Sequence, residues 1–564
     1  MLGGLPVVLA ALLLLGSLQV LDASGLVYYP TIHRATITRV FSLGFSLVVP
    51  LAVLLVAWFA LMWVGGGRWW LVVPVVGLLV YPLLGFGGAL GLASLAAVCV
   101  GLWGARCFGG VALWVLVFSS CFEGLALVHW LVFLPLGLAG PLVGVADLEL
   151  SLFFVSGYLA PLLVLPLLFS WGLRVLVEWG FDLKFVHVSG DRGDDVGWRW
   201  TAVFLVVLVF LGGFAVVYPY LGGVNPRGLN VGVDAPRYVQ SMAAVDVGVS
   251  KAFTEMGGSR PLIFLVIYGF ERVTGLGAEM AVRYLPVLLI PLLVLSAFYV
   301  GLQVFGRRRV ALWSAFFMLA GVQVVVGVYA YFLTNMLALC LALFSVGLLF
   351  ASLRGRSYPY LFLAVVVGGL LPYVHPWTFD QFLGSVGLFT LLVGYGVWKK
   401  RVSKEALLML SLYIAFLVSS DVAKGLVFHG VGGFQATSTV VSGFAGLSEF
   451  WSSSIFNFRF LFGGGVSNVL LLVLSLIGVL YLDRERLEHR FWVIFLFATS
   501  LVFLVGDETI KSRLLFNVPF FLLSSFGVED LSSRIRDKQL LNTLLLFSVL
   551  LSFTYLFRSL ANFS

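Results

Sequence analysis

The feature that most constrains this chain is the recurrence of unbroken apolar stretches, most of them close to the roughly 20 residues that a helix needs to cross a hydrocarbon core about 30 Å thick. Backbone polar groups in lipid must be satisfied within the protein, which leaves helices or a closed barrel. The stretches lack the period-two alternation of barrel strands. The expectation is therefore an all-α, polytopic transmembrane bundle. Composition agrees: only 11% of residues are charged, against about 25% in soluble domains.

Spans are expected near 40–64, 71–88, 90–105, 110–138, 152–175, 200–219, 283–305, 310–328, 331–352, 359–376, 380–398, 405–420, 466–482, 491–506, 512–528 and 539–558. Residues 1–23 are either a further helix or a cleaved signal, giving about 17 or 16 helices. The hydrophilic segment Glu178–Arg199 divides the chain into an N-terminal module, 1–199, and a second module, 200–564, whose outer loop is 220–282.

The net charge of +8 points to membrane orientation and away from nucleic acid, because most Lys and Arg lie in short connectors. Alternate connectors are basic: Arg307–Arg309, Arg354 with Arg356, Lys399–Arg401 with Lys404, Arg484–Arg490, and Arg534–Lys538. That alternation holds only if residues 261–275 do not span. Their ten apolar residues before Glu271 are too few, so they are expected to form an amphipathic juxtamembrane helix. The non-basic side, read as extracytoplasmic at the plasma membrane, receives the loop with Asp234 and Arg260. It also receives the turn His375–Asp380, a long loop from Asp421 to about Gly465, and the stretch Gly506–Arg513. Cys99, Cys107, Cys121 and Cys340 sit in or beside apolar runs with no CxxC pair, as buried small residues do.

Asp234, followed by Pro236, Arg237 and Tyr238, has two readings. It caps a short helix, a role worth about 1 kcal/mol, or it acts as a base on a lipid-borne substrate. Lys511 and Arg513 are phosphate candidates, since Arg offers a two-point fork and Lys a point charge; interfacial snorkelling is the alternative. Arg459 among Phe456, Phe458 and Phe460 is a further cation of this kind. Arg237 and Arg260 either contact substrate or pair with Asp234 or Glu255. His375-Pro-Trp-Thr-Phe-Asp380 breaks one helix and starts another, with His375 and Asp380 candidates to line an acceptor site. His429 lies in a glycine-rich stretch expected to be an outer loop. Glu123 and His129 fall inside one span, where ionisable groups are costly, though six residues apart they are not at a helical contact spacing.

The order of these parts carries a resemblance. An Asp in the first outer loop precedes a surface helix opening Arg260-Pro-Leu and closing Thr274-Gly, and Ala281-Val-Arg-Tyr-Leu-Pro286 leads into a span ending Phe305-Gly-Arg-Arg308. Over about 200–564 this resembles the GT-C superfamily of polytopic glycosyltransferases, especially the protein mannosyltransferase-like members and their archaeal relatives. The resemblance implies a polyprenyl-phosphate-sugar donor, such as a dolichyl phosphate sugar, and a protein, glycan or lipid acceptor. It places the catalytic acid at Asp234. Oligosaccharyltransferase members of that superfamily use lipid pyrophosphates, a divalent metal and paired acids. Here no outer loop has a D-x-D, no soluble domain follows the spans, and Asp507–Glu508 is the only adjacent acid pair on that side. A metal-free monophosphate reaction is expected, with no cofactor and with Asp507 and Glu508 as the weak metal alternative. Two other readings are a multi-pass transporter or lipid-linked-sugar flippase and a non-catalytic scaffold.

Overall fold

The computed structural model describes residues 108–138, 142–157, 160–172, 174, 196–428, 447–463, 466, 468–483 and 485–562. Expectations for 1–107, for 175–195 and for His429 fall outside these residues. Helix α1 (Phe108–Val128) runs into a π-helical turn, His129–Phe133, and is followed by α2 (Val143–Gly157) and α3 (Ala160–Leu168). Helix α4 (Trp198–Val217) leads to the large connection, which folds as α5 (Ala235–Val247), α6 (Pro261–Thr274) and α7 (Ala278–Tyr284). The chain continues with α8 (Pro286–Phe305), α9 (Arg308–Leu319), α10 (Val322–Val326) and a π-helical turn Gly327–Tyr331. Then come α11 (Leu333–Gly355), α12 (Tyr358–Gly369), α13 (Pro376–Trp398) and α14 (Lys404–Phe428). The series closes with α15 (Leu447–Phe462), α16 (Val469–Leu480), α17 (Leu487–Val505), α18 (Glu508–Phe516), α19 (Phe520–Arg534) and α20 (Lys538–Ala561).

Among the described residues nine helices are long and apolar enough to cross a membrane, and the α18–α19 pair, bent by 45°, makes a tenth. The chain is an all-α, polytopic bundle. Helix α6 is not among the spanning helices. Its Pro261, Ile263, Phe264 and Ile267 are buried while Arg272 and Thr274 are exposed, the amphipathic arrangement that its sequence predicts.

In the stretch expected to span over 152–175, helix is described at 152–157 and 160–168. Two expected boundaries move, each for a local reason. The span expected over 512–528 bends at Asn517–Pro519, where Pro519 sits at the N-cap of α19. The described parts of the long loop expected from Asp421 are largely helical: α14 continues to Phe428 and α15 occupies 447–462. Nothing between 405 and 428 is a strong helix breaker, since a single Gly425 costs only about 1 kcal/mol.

Close backbone approaches set the packing. A Cβ on Gly478 would lie 1.9 Å from the Leu523 carbonyl oxygen, and one on Gly527 would lie 2.1 Å from that of Leu474. Helices α16 and α19 thus meet backbone to backbone, with Ser475 and Ser524 hydroxyls 2.8 Å apart on the seam. Small residues do this work between membrane helices because lipid offers no hydrophobic drive to associate.

The bundle has two chemically distinct ends. At one, Arg307 and Arg309 reach Glu529 at 3.1 and 3.7 Å, Arg354 reaches Glu488 at 3.0 Å, and Arg356 reaches Glu405 at 3.4 Å. Such partly exposed pairs contribute about 0–1 kcal/mol each; their value here is as landmarks that gather the basic connectors. The 20 residues of α8, at 1.5 Å per residue, put the other end about 30 Å away.

Candidate functional site

The far end is built on the connection between α4 and α5. Asn225 closes a turn by bonding Leu229 twice, through Nδ2 to its carbonyl at 2.7 Å and through Oδ1 to its N–H at 3.0 Å. Beyond the turn, Val233 N–H donates to Tyr329 O at 3.0 Å and Asp234 N–H to Ala330 O at 3.4 Å. The strand-like piece before Asp234 is thus fastened to the π-turn. Gly232 makes this possible. Its φ is +115°, and a Cβ there would lie 2.3 Å from Cδ2 of the Tyr331 ring.

Asp234 occupies the N-cap position of α5, yet its side chain accepts no capping bond. A cap accepts from the N–H of the second or third helical residue. Here the second is Pro236, which has none, and Arg237 N–H goes to the Asp234 main-chain carbonyl at 3.1 Å. The carboxylate turns instead to Arg513, whose Nη2 donates to Oδ2 at 3.2 Å. Arg513 Nη1 donates to Asn335 Oδ1 at 3.2 Å, and its guanidinium lies 3.4 Å from the centre of the Phe332 ring. Arg237, 77% exposed, stands 3.9 Å from Oδ1, beyond hydrogen-bonding range.

Arg260 closes the same mouth, its Nη1 at 3.4 Å from Thr334 Oγ1, an atom also 3.4 Å from the buried Tyr238 hydroxyl. Thr334 and Asn335 begin α11, so the positive end of that helix faces the cluster. Lys424, fully buried, donates to Ser259 O at 2.8 Å and Pro372 O at 2.7 Å. It ties the connection before α6 to the turn before α13.

His375 is fully buried at the start of α13. Burial first, then the charges of Arg260, Arg513 and Lys424, hold its imidazole well below the usual histidine range, so it is neutral. The proton's position follows from its neighbours. Gln381 Nε2 donates to Leu514 O at 3.2 Å, so its Oε1 accepts, and Asn517 Nδ2 supplies that bond at 2.9 Å. Asn517 Nδ2 also donates to Thr378 Oγ1 at 3.0 Å, which leaves the Thr378 hydroxyl to donate to His375 Nδ1 at 2.8 Å. Thr378 N–H reaches Nδ1 as well, at 3.2 Å. Nδ1 is therefore an acceptor, and the proton sits on Nε2.

His375 Nε2, Asn335 Nδ2 and Arg513 Nε are all buried donors without a hydrogen-bond partner. An unmade bond of that kind costs about 1–3 kcal/mol, and three in one neighbourhood of positive charge describe a place suited to an anion.

The structure thus brings together Asp234, Arg237, Tyr238, Arg260 and Arg513, with His375 alongside. Asp380 is half-buried, and its charge and that of Asp421 bear on Lys424. One expected cation lies apart from the cluster. Lys511 is two residues from Arg513 on α18, a spacing that does not share a helix face; its Nζ bonds Ser453 Oγ beneath the rings of Phe450 and Phe503. Arg459, half-buried, sits near the end of α15. Asp507 caps α18 by accepting from Ile510 N–H at 2.9 Å, and Glu508 is exposed. Among the described residues no group of three or more His, Cys, Asp or Glu is placed to hold a metal.

Sequence reasoning missed Thr334, Asn335 and Lys424. The signals were present: a polar pair inside an apolar run, and a lone cation just beyond the expected end of a span.

No family model matches the sequence, and no curated protein matches it. Solved structures do. An archaeal oligosaccharyltransferase, AglB from Archaeoglobus fulgidus in complex with an inhibitory peptide and a dolichol-phosphate, aligns at 11% identity and a TM-score of 0.45, over 64% of this chain and 56% of that one. The apo form of the Archaeoglobus fulgidus oligosaccharyltransferase aligns at 12% identity and a TM-score of 0.43, over 65% and 56%. Arabinofuranosyltransferase AftD from Mycobacteria aligns at 14% identity and a TM-score of 0.41, over 64% of this chain and 27% of that one. These neighbours are glycosyltransferases, and the chain spans about half the length of the oligosaccharyltransferase.

Proposed function

We propose that the chain is a membrane glycosyltransferase that moves a sugar from a polyprenyl-phosphate donor to an acceptor hydroxyl at the extracytoplasmic face, with Asp234 as general base. The observation that carries this reading is the carboxylate's situation. Asp234 sits at a helix start that it does not cap, oriented by Arg513 at 3.2 Å beside a ring of cations and unpartnered buried donors.

With Oδ2 engaged by Arg513, Oδ1 is the oxygen that takes the acceptor's hydroxyl proton, at the roughly 3 Å that general-base catalysis requires. The acceptor oxygen attacks the anomeric carbon while the bond from that carbon to the phosphate oxygen breaks. The bonding pair leaves with the lipid phosphate, and inversion follows from attack on the opposite side. Arg260, His375 Nε2–H and Asn335 Nδ2–H receive the phosphate's growing charge, with Lys424 behind them. Lys511, on another face of α18, and Arg459 are assigned to the approach of the lipid. The reaction needs no metal in this reading.

Transfer of radiolabelled sugar from a polyprenyl-phosphate donor, comparing wild type with Asp234→Asn, tests the proposal. Loss of turnover by the amide is expected, and normal turnover would sink the mechanism. One observation favours the alternative of a transporter, the buried ionisable cluster around Arg558 described next. Movement of substrate across sealed vesicles without bond cleavage decides for that alternative.

A further inference from the structure

Glu123, expected to have no helical partner at the spacing of His129, has partners on other elements. Arg558 on α20 donates through Nη1 to Glu149 Oε1 on α2, with both side chains fully buried. Glu123 on α1 is 6% exposed and close enough for the charges of both to bear on it. Thr554, one turn before Arg558, donates to the Glu123 main-chain carbonyl at 3.2 Å. The guanidinium is covered by the Phe153 ring at 3.7 Å and flanked by Tyr555 at 5.7 Å. The further titratable group beside Arg558 is the Tyr555 phenol, while His129, on the turn after α1, and Asp147 on α2 lie near each other. Tyr218, after α4, donates its hydroxyl to Trp130 O.

Two carboxylates therefore face one guanidinium where water does not reach. Arg does not lose its proton. If both acids were ionised, the group would keep a net negative charge in a low-dielectric interior, at an effective cost of several kcal/mol. The bonding is also incomplete: Glu123 Oε2 and Glu149 Oε2 are both buried without a hydrogen bond, and the buried Trp130 N–H beside Glu149 makes none either. A carboxyl O–H shared between the two acids supplies a further donor, and one proton balances the charge.

We propose that Glu123, Glu149 and Arg558 form a buried proton-binding site, in which the two carboxylates hold one proton between them and the neutral triad seats α1 and α2 against α20. The seat matters beyond itself. The turn after α1 packs on Gly223 so closely that a Cβ there would lie 2.1 Å from Leu134 O and 2.6 Å from Gly137 N. Gly223 belongs to the same connection that presents Asp234. The N-terminal helices thus brace the candidate site from behind, and the proton keeps the brace in place. The inference does not depend on the chemistry proposed for Asp234.

The test is infrared spectroscopy of the full chain in lipid nanodiscs, reading the carbonyl stretch of a protonated buried carboxyl. The band is expected in wild type at neutral pH and is expected to vanish in Glu123→Gln and in Glu149→Gln alike, because each single variant leaves one ionised acid for one Arg. Glu123→Gln keeps the wild-type unfolding temperature at neutral pH. Glu123→Gln/Glu149→Gln strands a buried cation and lowers the unfolding temperature or fails to fold, and adding Arg558→Met to that pair restores folding. Absence of the band in wild type, its survival in both single variants, or destabilisation by Glu123→Gln alone at neutral pH overturns the proposal.

Discussion

Replacing Gly232 by Ala tests how firmly the Asp234 carboxylate is aimed. The new Cβ would stand 2.3 Å from Cδ2, 2.8 Å from Cγ and 3.0 Å from Cε2 of Tyr331, so ring and loop must part by about 1 Å to reach ordinary contact. The ring cannot simply swing away, because its hydroxyl bonds Val282 O at 2.5 Å and the residue is 1% exposed. Overpacking of this kind costs about 1–3 kcal/mol, and an Ala forced into the φ of +115° adds about 1–3 kcal/mol. The loop is the softer partner, so the expected response is loss of the Val233 and Asp234 bonds to Tyr329 and Ala330. A misplacement near 1 Å costs on the order of 100-fold in rate. Gly228→Ala is the control. It also has a positive φ, +60°, but nothing lies within 4 Å of its Cβ, so it carries the backbone strain without the clash. Sugar transfer and unfolding temperature are measured for both. Equal turnover for Gly232→Ala and Gly228→Ala would refute the claim that contact with Tyr331 positions the acid.

Three further outcomes are expected. Arg513→Met removes the donor to Asp234 Oδ2 and to Asn335 and lowers turnover on the order of 100-fold; Arg513→Lys keeps the charge but not the fork and falls between, as steady-state kinetics on the labelled donor will show. His375 is neutral in the folded chain and ordinary in the unfolded one, so its contribution to stability is constant above pH of about 6.5 and is lost as pH falls below it, because only the unfolded state takes up the proton. His375→Gln flattens that part of the curve of unfolding temperature against pH, and an unchanged slope counts against the assignment. Gly478→Ala drives a Cβ to 1.9 Å from Leu523 O and destabilises by about 1–3 kcal/mol or more; Gly384→Ala, with open space around its Cβ, does not, as thermal unfolding checks.

Much of the site's address is legible in the sequence, and little of its geometry. The alternation of basic connectors places Asp234, Arg260, His375 and Arg513 at one end, because orientation in a membrane is written in composition. Contact between Asp234 and Arg513, 279 positions apart, is not written that way. It depends on how the π-turn after α10 and the bend before α19 set neighbouring helices. Pro236 was a readable clue, since an Asp two residues before a Pro is short of a capping partner. Thr334 and Asn335 hid inside an apolar run because hydropathy averages over single polar residues, and those are the residues that a buried site uses. The loop expected from Asp421 begins too early for the opposite reason: charge at a helix mouth reads as the end of a helix that runs on to Phe428.

The bend at Asn517–Pro519 has a consequence for what substitutions this protein tolerates. The bonds diverge from Asn517: its Nδ2 gives to Gln381 Oε1, whose Nε2 gives to the Leu514 carbonyl, and also to Thr378 Oγ1, whose hydroxyl gives to His375. Polarity at the imidazole is therefore inherited from an amide on a different helix. Asn517→Asp, nearly unchanged in shape, offers acceptors to both neighbours and breaks the inheritance at its midpoint. Residue 517 is constrained by what it donates rather than by the room it fills.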